Sequence, residues 1–295
     1  MENEPYERQL RTSITGENSD HVDALIRENR RITVHELSGI LNISDGSVKT
    51  IIKQDLQYSK VCTRWIPHLL TDEHKNTRLQ LAQSLLSRYE QEGDGFLDSV
   101  VPTGEMWVHY FTPRSKCSSM QWHHPGSPKS KKAKTTVSAG KVVATIFWDS
   151  KGVLNVDFLT DHCTINAEYF SVFLEGPVKT AVRNKRKRAQ TSVLFLQNNA
   201  RLHVAARTMD TVQKLKWNIL PHPPYSSDLA PSDYHLFGPL KDHLGGKRFC
   251  NSEEVIQDVQ EWLHWQPSDF FLSSIRKLPD RWRKCITNQG DYVEE

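Results

Sequence analysis

Hydrophobic residues near the N-terminus recur with the spacing of amphipathic helices. Val22, Leu25 and Ile26 fall at positions i, i+3 and i+4, and the same spacing returns around Leu37 and again around Val48. The pattern predicts three short helices in succession.

The second and third of these helices are separated only by a short turn at 42–44. Thr33 and Glu36 have the spacing of a capping box at the start of the second helix. This order is typical of a helix-turn-helix unit, whose third helix, predicted over 45–53, enters the DNA groove. A three-helix bundle without a DNA role shows the same pattern, so that alternative stays open. The candidate DNA contacts on the third helix are Ser47, Lys49, Thr50 and Lys53.

The hydrophobic period changes to two from Val100 onward, which predicts strands. The predicted strands are 106–111, 141–148, 153–159, 192–197 and 217–220, with helices at 166–175, at 205–216 and over most of the remainder from Ser232. The second and third strands form a hairpin. Three antiparallel strands followed by alternating helices and strands are typical of an RNase H-like α/β domain with a mixed sheet flanked by helices.

These patterns predict four regions along the chain. The predicted regions are a flexible N-terminus at 1–17, a helix-turn-helix domain at 18–57, a linker and helix at 58–95, and an RNase H-like domain at 96–295 with a basic insertion at 113–139. The insertion is rich in proline, glycine, serine and lysine, which is a composition too polar for a core.

Composition narrows the class of protein only slightly. The net charge of +3 is too small by itself to indicate a nucleic-acid partner, so such a case depends on where the charges lie. Five cysteines without a CxxC spacing argue against a disulfide framework and a zinc module. The acidic start has no apolar stretch of a secretory signal, and no apolar run is long enough to span a bilayer. We therefore expect an intracellular protein with no membrane partner.

Three segments carry a resemblance to a known family. They are WIPHL at 65–69, YSSDLAPSDYHLF at 225–237 and IRKLPDRWRKC at 275–285. With these segments the chain resembles mariner transposases of the Tc1/mariner superfamily, and the transposase part of SETMAR-type SET-domain/mariner fusion proteins, from roughly Thr12 to its C-terminus. The resemblance implies a homodimer in the nucleus that binds double-stranded DNA of the transposon-end type.

Two departures from the family affect DNA binding and architecture. The family places two helix-turn-helix units before the catalytic domain, whereas this chain has room for only the second, and Ser227 replaces a usual proline. Fewer phosphate contacts reduce salt-sensitive affinity, so we expect weaker recognition of a transposon end.

The family's chemistry uses two divalent cations, Mg²⁺ or Mn²⁺, held by three aspartates. The third position is Asp233, the candidate catalytic and metal-binding residue, and the second is Asn198, whose amide has no charge. A unit charge at about 4 Å is worth about 4 kcal/mol at an effective dielectric constant near 20. Since each 1.36 kcal/mol is about tenfold in rate, this loss predicts a roughly thousandfold slower reaction.

The first metal-ligand position also differs. The family's aspartate lies three residues before a tryptophan, which places Gly104 at that position relative to Trp107. Glu105 is a possible substitute, but alternation along a strand puts it on the face of Trp107 and His109. A β-bulge would change this register. We therefore expect Glu105 to point away from the metal-ligand face.

Other polar residues have less specific patterns. His203 is either structural or catalytic, Asp149 reads as a turn residue, and Asp228 as a local cap. Two basic runs are either phosphate contacts or solvated surface, and the second is also a candidate nuclear-localisation patch. The DNA-contact candidates in these runs are Lys131, Lys132, Lys134, Arg183, Lys185, Arg186, Lys187 and Arg188.

Together these observations predict a mariner-derived DNA-binding protein that is catalytically inactive and does not bind Mg²⁺ or Mn²⁺ productively. One alternative is a residual metal-dependent endonuclease that uses Asp233 with Glu105 or Asp149. Another is an open reading frame without a selected role.

Overall fold

The computed structural model comprises two compact units, Met1–Trp65 and Ile66–Glu295. The residues it describes are 13–61, 66–114, 119–121, 124, 126–128, 131, 133–160, 164–186 and 193–293. Most of the segment expected to be flexible, residues 1–12, lies outside the described residues, so that expectation stays a prediction.

The first unit is a small helical bundle. Its elements are α1 (Gly16–Glu28), α2 (Val34–Leu41), α3 (Asp45–Thr50) and a π-helical turn (Ile51–Asp55) that continues α3. The hydrophobic stripes meet in a core formed by Val22, Leu37, Val48 and Ile51. The capping box at Thr33 is present, and Asn42 ends α2 in the left-handed conformation, which asparagine tolerates. The three predicted helices are therefore found.

A five-stranded mixed sheet organises the second unit. Its strands are β1 (Val100–His109), β2 (Lys141–Asp149), β3 (Gly152–Leu159), β4 (Leu194–Leu196) and β5 (Asn218–Ile219). They are ordered β3-β2-β1-β4-β5, with the first three antiparallel and β4 and β5 parallel to β1. This is the mixed sheet that the sequence predicts.

Helices cover both faces of the sheet. They are α4 (Asp72–Glu92), α5 (Asp94–Asp98), α6 (Ala167–Phe173), α7 (Lys179–Lys185), α8 (Ala206–Lys214), α9 (Phe237–Leu244), α10 (Ser252–Trp265), α11 (Ser268–Arg276) and α12 (Leu278–Thr287). Neighbouring β2 residues enter opposite cores: Trp148 packs with Trp282 and Phe271, whereas Phe147 packs with Phe170. In the described parts of the chain, no helix is both long and apolar enough to cross a membrane.

A buried ion pair joins distant parts of the second unit. The Arg78 guanidinium on α4 makes two hydrogen bonds to the Asp228 carboxylate, at 2.9 and 2.7 Å, and one to the Gly290 carbonyl at 2.8 Å. The backbone N–H of Val293 also donates to Asp228, at 2.8 Å. The interpretation of Asp228 as a local cap is therefore wrong, because its carboxylate binds partners far away in sequence. This clamp holds the turn that leads into the segment of Asp233.

Candidate active site

The structure brings the three positions that the resemblance assigns to metal ligands to one small crevice. Gly104 and Glu105 on β1, Asn198 after β4, and Asp233 in a π-helical turn (Ser232–Leu236) all line it. β4 lies beside β1 in parallel, with Pro102 opposite Leu196. Each strand continues from that pair into the crevice, so the sheet places Gly104 and Asn198 close together.

Gly104 faces the Asp233 segment but presents no side chain to it. A Cβ atom placed there would lie 2.9 Å from two atoms of the Phe237 ring and 3.0 Å from the Ser232 Cβ. The β1–β2 register is continuous from Thr103 to His109, so no bulge shifts the alternation. Phe237 and Ser232 thus pack against the space where a side chain of residue 104 would project.

Glu105 points to the other side of β1 and is bound there. Its Oε1 atom lies 3.0 Å from Nε2 of His203, whose ring is fully buried against Phe170. This is the direction that strand alternation predicts. The charge of Glu105 still raises the pKa of Asp233, so the two carboxylates interact at a distance across the sheet edge.

Asn198 has a structural role in the loop after β4. Its Oδ1 atom accepts hydrogen bonds from the Ala200 N–H at 3.0 Å and from Nδ1 of His203 at 2.8 Å. The Ala200 N–H can only donate, so the atom of the Asn198 amide that faces it is the oxygen. An amide oxygen only accepts hydrogen bonds, and Nδ1 of His203 is therefore the donor in the second bond. Glu105, His203 and Asn198 form a continuous hydrogen-bonded chain from β1 to this loop.

The surroundings of Asp233 in the crevice perturb its carboxylate strongly. The residue keeps surface open to water, yet surrounding protein atoms desolvate its carboxylate and raise its pKa from 3.8 to about 6. Lys241 on α9 partly offsets this effect, and Glu105 adds to it. Among the described residues, no three His, Cys, Asp or Glu side chains form a group that could hold a metal ion.

The candidate DNA contacts on α3 and on the π-helical turn that continues it differ in availability. Lys49 and Lys53 are exposed. The Ser47 hydroxyl lies 3.0 Å from that of Ser44, and the Thr50 hydroxyl donates to the Gly46 carbonyl at 3.0 Å. The two lysines are therefore the side chains that the protein itself leaves most available to phosphates.

The basic run at 183–188 does not form a uniform basic surface. Arg186 turns inward and pairs with Asp149 at 3.2 Å, with only 9% of its side chain exposed. Arg186 is a predicted DNA contact, and in the free protein its guanidinium is bound internally, so that contact stays a prediction. Asp149 accepts a hydrogen bond from the Lys151 N–H, as a turn residue does, and also carries this ion pair.

The remaining basic candidates divide into two groups. Arg183 on α7 and Lys131 and Lys134 in the insertion are exposed. Lys185 is also exposed but donates a hydrogen bond to the Val153 carbonyl. The expected contacts from Lys132, Lys187 and Arg188 lie outside the described residues.

Sequence reasoning missed two features of the crevice. Lys241 lies on the helix after Asp233, and only its spacing of two helical turns could have suggested that it acts on Asp233. The Trp148 Nε1–H donates to the Ser232 hydroxyl at 3.0 Å, which ties the Asp233 segment to β2. No local pattern indicates that contact, since the two residues are far apart in the sequence.

Comparison with known proteins agrees with this arrangement of helices and strands. The chain is 33% identical over 276 residues to the Mariner Mos1 transposase of Drosophila mauritiana, which covers 92% of this chain and 78% of that protein. The chain belongs to the mariner transposase family. A family described as Transposase (partial DDE domain) also matches residues 112–192.

A second relative of this mariner-family chain is the human protein named Histone-lysine N-methyltransferase SETMAR. It is 32% identical over 282 residues, and the match covers 94% of this chain but only 40% of SETMAR.

Solved structures agree with the assignment to the mariner transposase family. The Mos1 mariner paired end complex with Mn has a TM-score of 0.83 at 31% identity, covering 100% of this chain and 82% of that chain. The corresponding complex with Mg has a TM-score of 0.86 at 30% identity, covering 99% and 83%. These likenesses establish the RNase H-like fold.

Proposed function

We propose that this mariner-family protein binds double-stranded DNA resembling transposon ends and does not cut it. The observation that carries the proposal is at Gly104. This residue faces the Asp233 segment at the first metal-ligand position and has no side chain to contribute. Asn198, at the second position, contributes no charge and already accepts two hydrogen bonds through Oδ1.

The donor set supports the same conclusion about divalent cations. Mg²⁺ requires several oxygen ligands in octahedral geometry, and their negative charge offsets the cost of dehydration. The crevice offers Asp233 on the required side, whereas the Glu105 carboxylate is bound to His203 on the opposite side of β1. These residues do not fit a two-cation centre of Mg²⁺ or Mn²⁺.

A nicking assay on supercoiled plasmid DNA with Mg²⁺ or Mn²⁺ tests the inactive assignment. We expect the wild-type protein to leave the plasmid supercoiled under conditions in which the Mos1 transposase, as positive control, cuts its own substrate. Metal-dependent nicking by the wild type that disappears in Asp233→Asn would overturn the assignment.

The second candidate function is residual endonuclease activity through Asp233 and Glu105. It is favoured by one observation: the two carboxylates line one crevice, where desolvation raises the pKa of Asp233 and the Glu105 charge adds to the rise. In this case Glu105→Gln and Asp233→Asn should each abolish nicking, whereas Asp242→Asn, at an exposed position on α9, should not. Equal nicking by all three variants would indicate a contaminating nuclease.

DNA binding is supported by the relatives. One Mos1 structure is a paired-end complex with the left transposon end, and its TM-score to this chain is 0.86. We extend this DNA partner to the present protein, together with a homodimeric state and a nuclear location.

Electrophoretic mobility shift with a mariner end duplex at two salt concentrations tests the binding. The absence of a shift even at low salt would contradict it, and light scattering tests the dimer.

A further inference from the structure

A cavity of about 530 Å³ lies along the free edge of the sheet, away from the crevice of Asp233. Five consecutive β3 residues, Gly152 to Val156, form one wall, and α10 and the start of α11 form the opposite wall. The volume is within the range of about 300–1,000 Å³ that is typical of ligand sites. The five strand residues span at most about 17 Å, and a β-bulge lies among them, since Trp148 of β2 faces Val153 whereas Phe147 faces Asn155.

The backbone of β3 is available for further pairing on this side. β3 is the outermost strand of the sheet, and no strand among the described residues pairs with its outer edge. The Val153 carbonyl points into the cavity edge, where the Lys185 ammonium donates a hydrogen bond to it. Since the N–H and C=O of one residue in an antiparallel strand point to the same side, the Val153 N–H faces outward too.

The side chains that line the cavity favour a negatively charged ligand. Lys151 and Lys185 line it together with His264, and no carboxylate is among its described lining residues. The floor is apolar at Leu263 and Phe271. An anionic ligand with apolar side chains on alternate positions therefore matches the lining.

We propose that this edge cavity binds an extended acidic peptide segment of a protein partner, which adds to the sheet as a sixth strand beside β3. In such β-strand addition, backbone hydrogen bonds supply affinity and the flanking side chains supply specificity. A backbone N–H of the peptide replaces Lys185 at the Val153 carbonyl, and the released ammonium pairs with a peptide carboxylate. Lys185 is thus exchanged between a backbone acceptor in the free protein and a ligand acceptor in the complex.

Fluorescence anisotropy with a labelled ten-residue peptide of alternating glutamate and valine tests the proposal on the full chain. We expect saturable binding to wild type, at least tenfold weaker binding to Val153→Pro, which removes an outward N–H, and severalfold weaker binding to Lys185→Gln. Lys179→Gln is the matched control, since Lys179 is an exposed lysine on α7 that does not line the cavity. It should bind like wild type.

Two further measurements keep the test decisive if Val153→Pro fails to fold. A peptide N-methylated at alternate residues should lose binding, and a peptide of alternating lysine and valine should not bind. The proposal is overturned if the acidic peptide does not bind wild type, which would leave Lys185 only as a charge that shields a sheet edge. It is also overturned if a single-stranded oligonucleotide displaces the peptide and shows the same dependence on Lys185.

Discussion

Asn198 preserves the backbone geometry of the loop after β4 although it has no negative charge. Its Oδ1 atom accepts from the Ala200 N–H, a short-range contact that asparagine and aspartate make equally well. The same oxygen binds Nδ1 of His203 at 2.8 Å. The fold therefore tolerates the loss of the carboxylate at this position, because the structural contacts need only an oxygen acceptor.

Asp233 is expected to reduce stability near neutral pH. Its pKa in the folded protein is about 6, above the ordinary 3.8, so the folded state binds its proton more tightly than the unfolded state. Stability from this group is fully present below about pH 4 and falls as the pH rises towards 6. The full shift corresponds to about 3 kcal/mol, and because the residue is open to water we expect on the order of 1 kcal/mol.

Asp233→Asn should therefore raise the free energy of unfolding at pH 7 and leave it nearly unchanged at pH 4. Urea unfolding of wild type and variant at both pH values measures this difference. Asp242→Asn, an exposed residue on α9, is the control and should change stability by less than about 0.5 kcal/mol at either pH. A variant that is less stable than wild type at pH 7 contradicts the expectation.

The sequence predicts those parts of the candidate site in which strand alternation determines the direction of a side chain. The face of Gly104 and the opposite direction of Glu105 follow from the period of two along β1, and the structure has both. The inward turn of Arg186 was not predictable, since its partner Asp149 lies at the end of β2, 37 residues earlier. A run of basic residues indicates a positively charged segment, but it does not indicate which of these residues forms an ion pair inside the protein.

The helix after β3 illustrates the same limit for whole elements. The sequence predicts a helix at 166–175, whereas the structure continues it through a π-helical turn (Leu174–Val178) into α7. Pro177 lies within that turn, and proline has no N–H to donate there. Gly176 and Pro177 are residues that usually end a helix, but the wider π-helical turn accommodates them and the chain continues into α7. Arg186, directly after α7, therefore lies beside Asp149.

Arg186→Ala should destabilise the second unit by about 3 kcal/mol, because it leaves the buried Asp149 carboxylate without its partner. Arg183→Ala is the matched control, as Arg183 is exposed on α7, which ends just before Arg186, and it should change stability by less than about 0.5 kcal/mol. Chemical denaturation followed by tryptophan fluorescence measures both. Equal effects of the two variants would contradict the internal role of Arg186.

The C-terminal segment holds the second unit together over long distances. Arg78 is fully buried and binds Asp228 and the Gly290 carbonyl, while the Tyr292 hydroxyl donates to the His68 carbonyl at 2.9 Å. Asp228→Asn should destabilise by about 3–5 kcal/mol, since a buried guanidinium loses its counter-charge. Calorimetry measures this. Asp280→Asn removes an exposed partner of Arg283 and is expected to cost less than about 1 kcal/mol.

DNA binding without metal chemistry predicts a specific response to salt and chelator. Each phosphate that a lysine neutralises contributes about −0.9 to the slope of log affinity against log salt. Lys49→Gln with Lys53→Gln should therefore make the slope shallower by about two, measured by anisotropy on a mariner end duplex. Lys214→Gln, an exposed lysine on α8, should leave the slope unchanged. EDTA should not alter wild-type affinity, because the proposed contacts need no divalent cation. An unchanged slope in the double variant would leave α3 as part of a helical bundle without a DNA role.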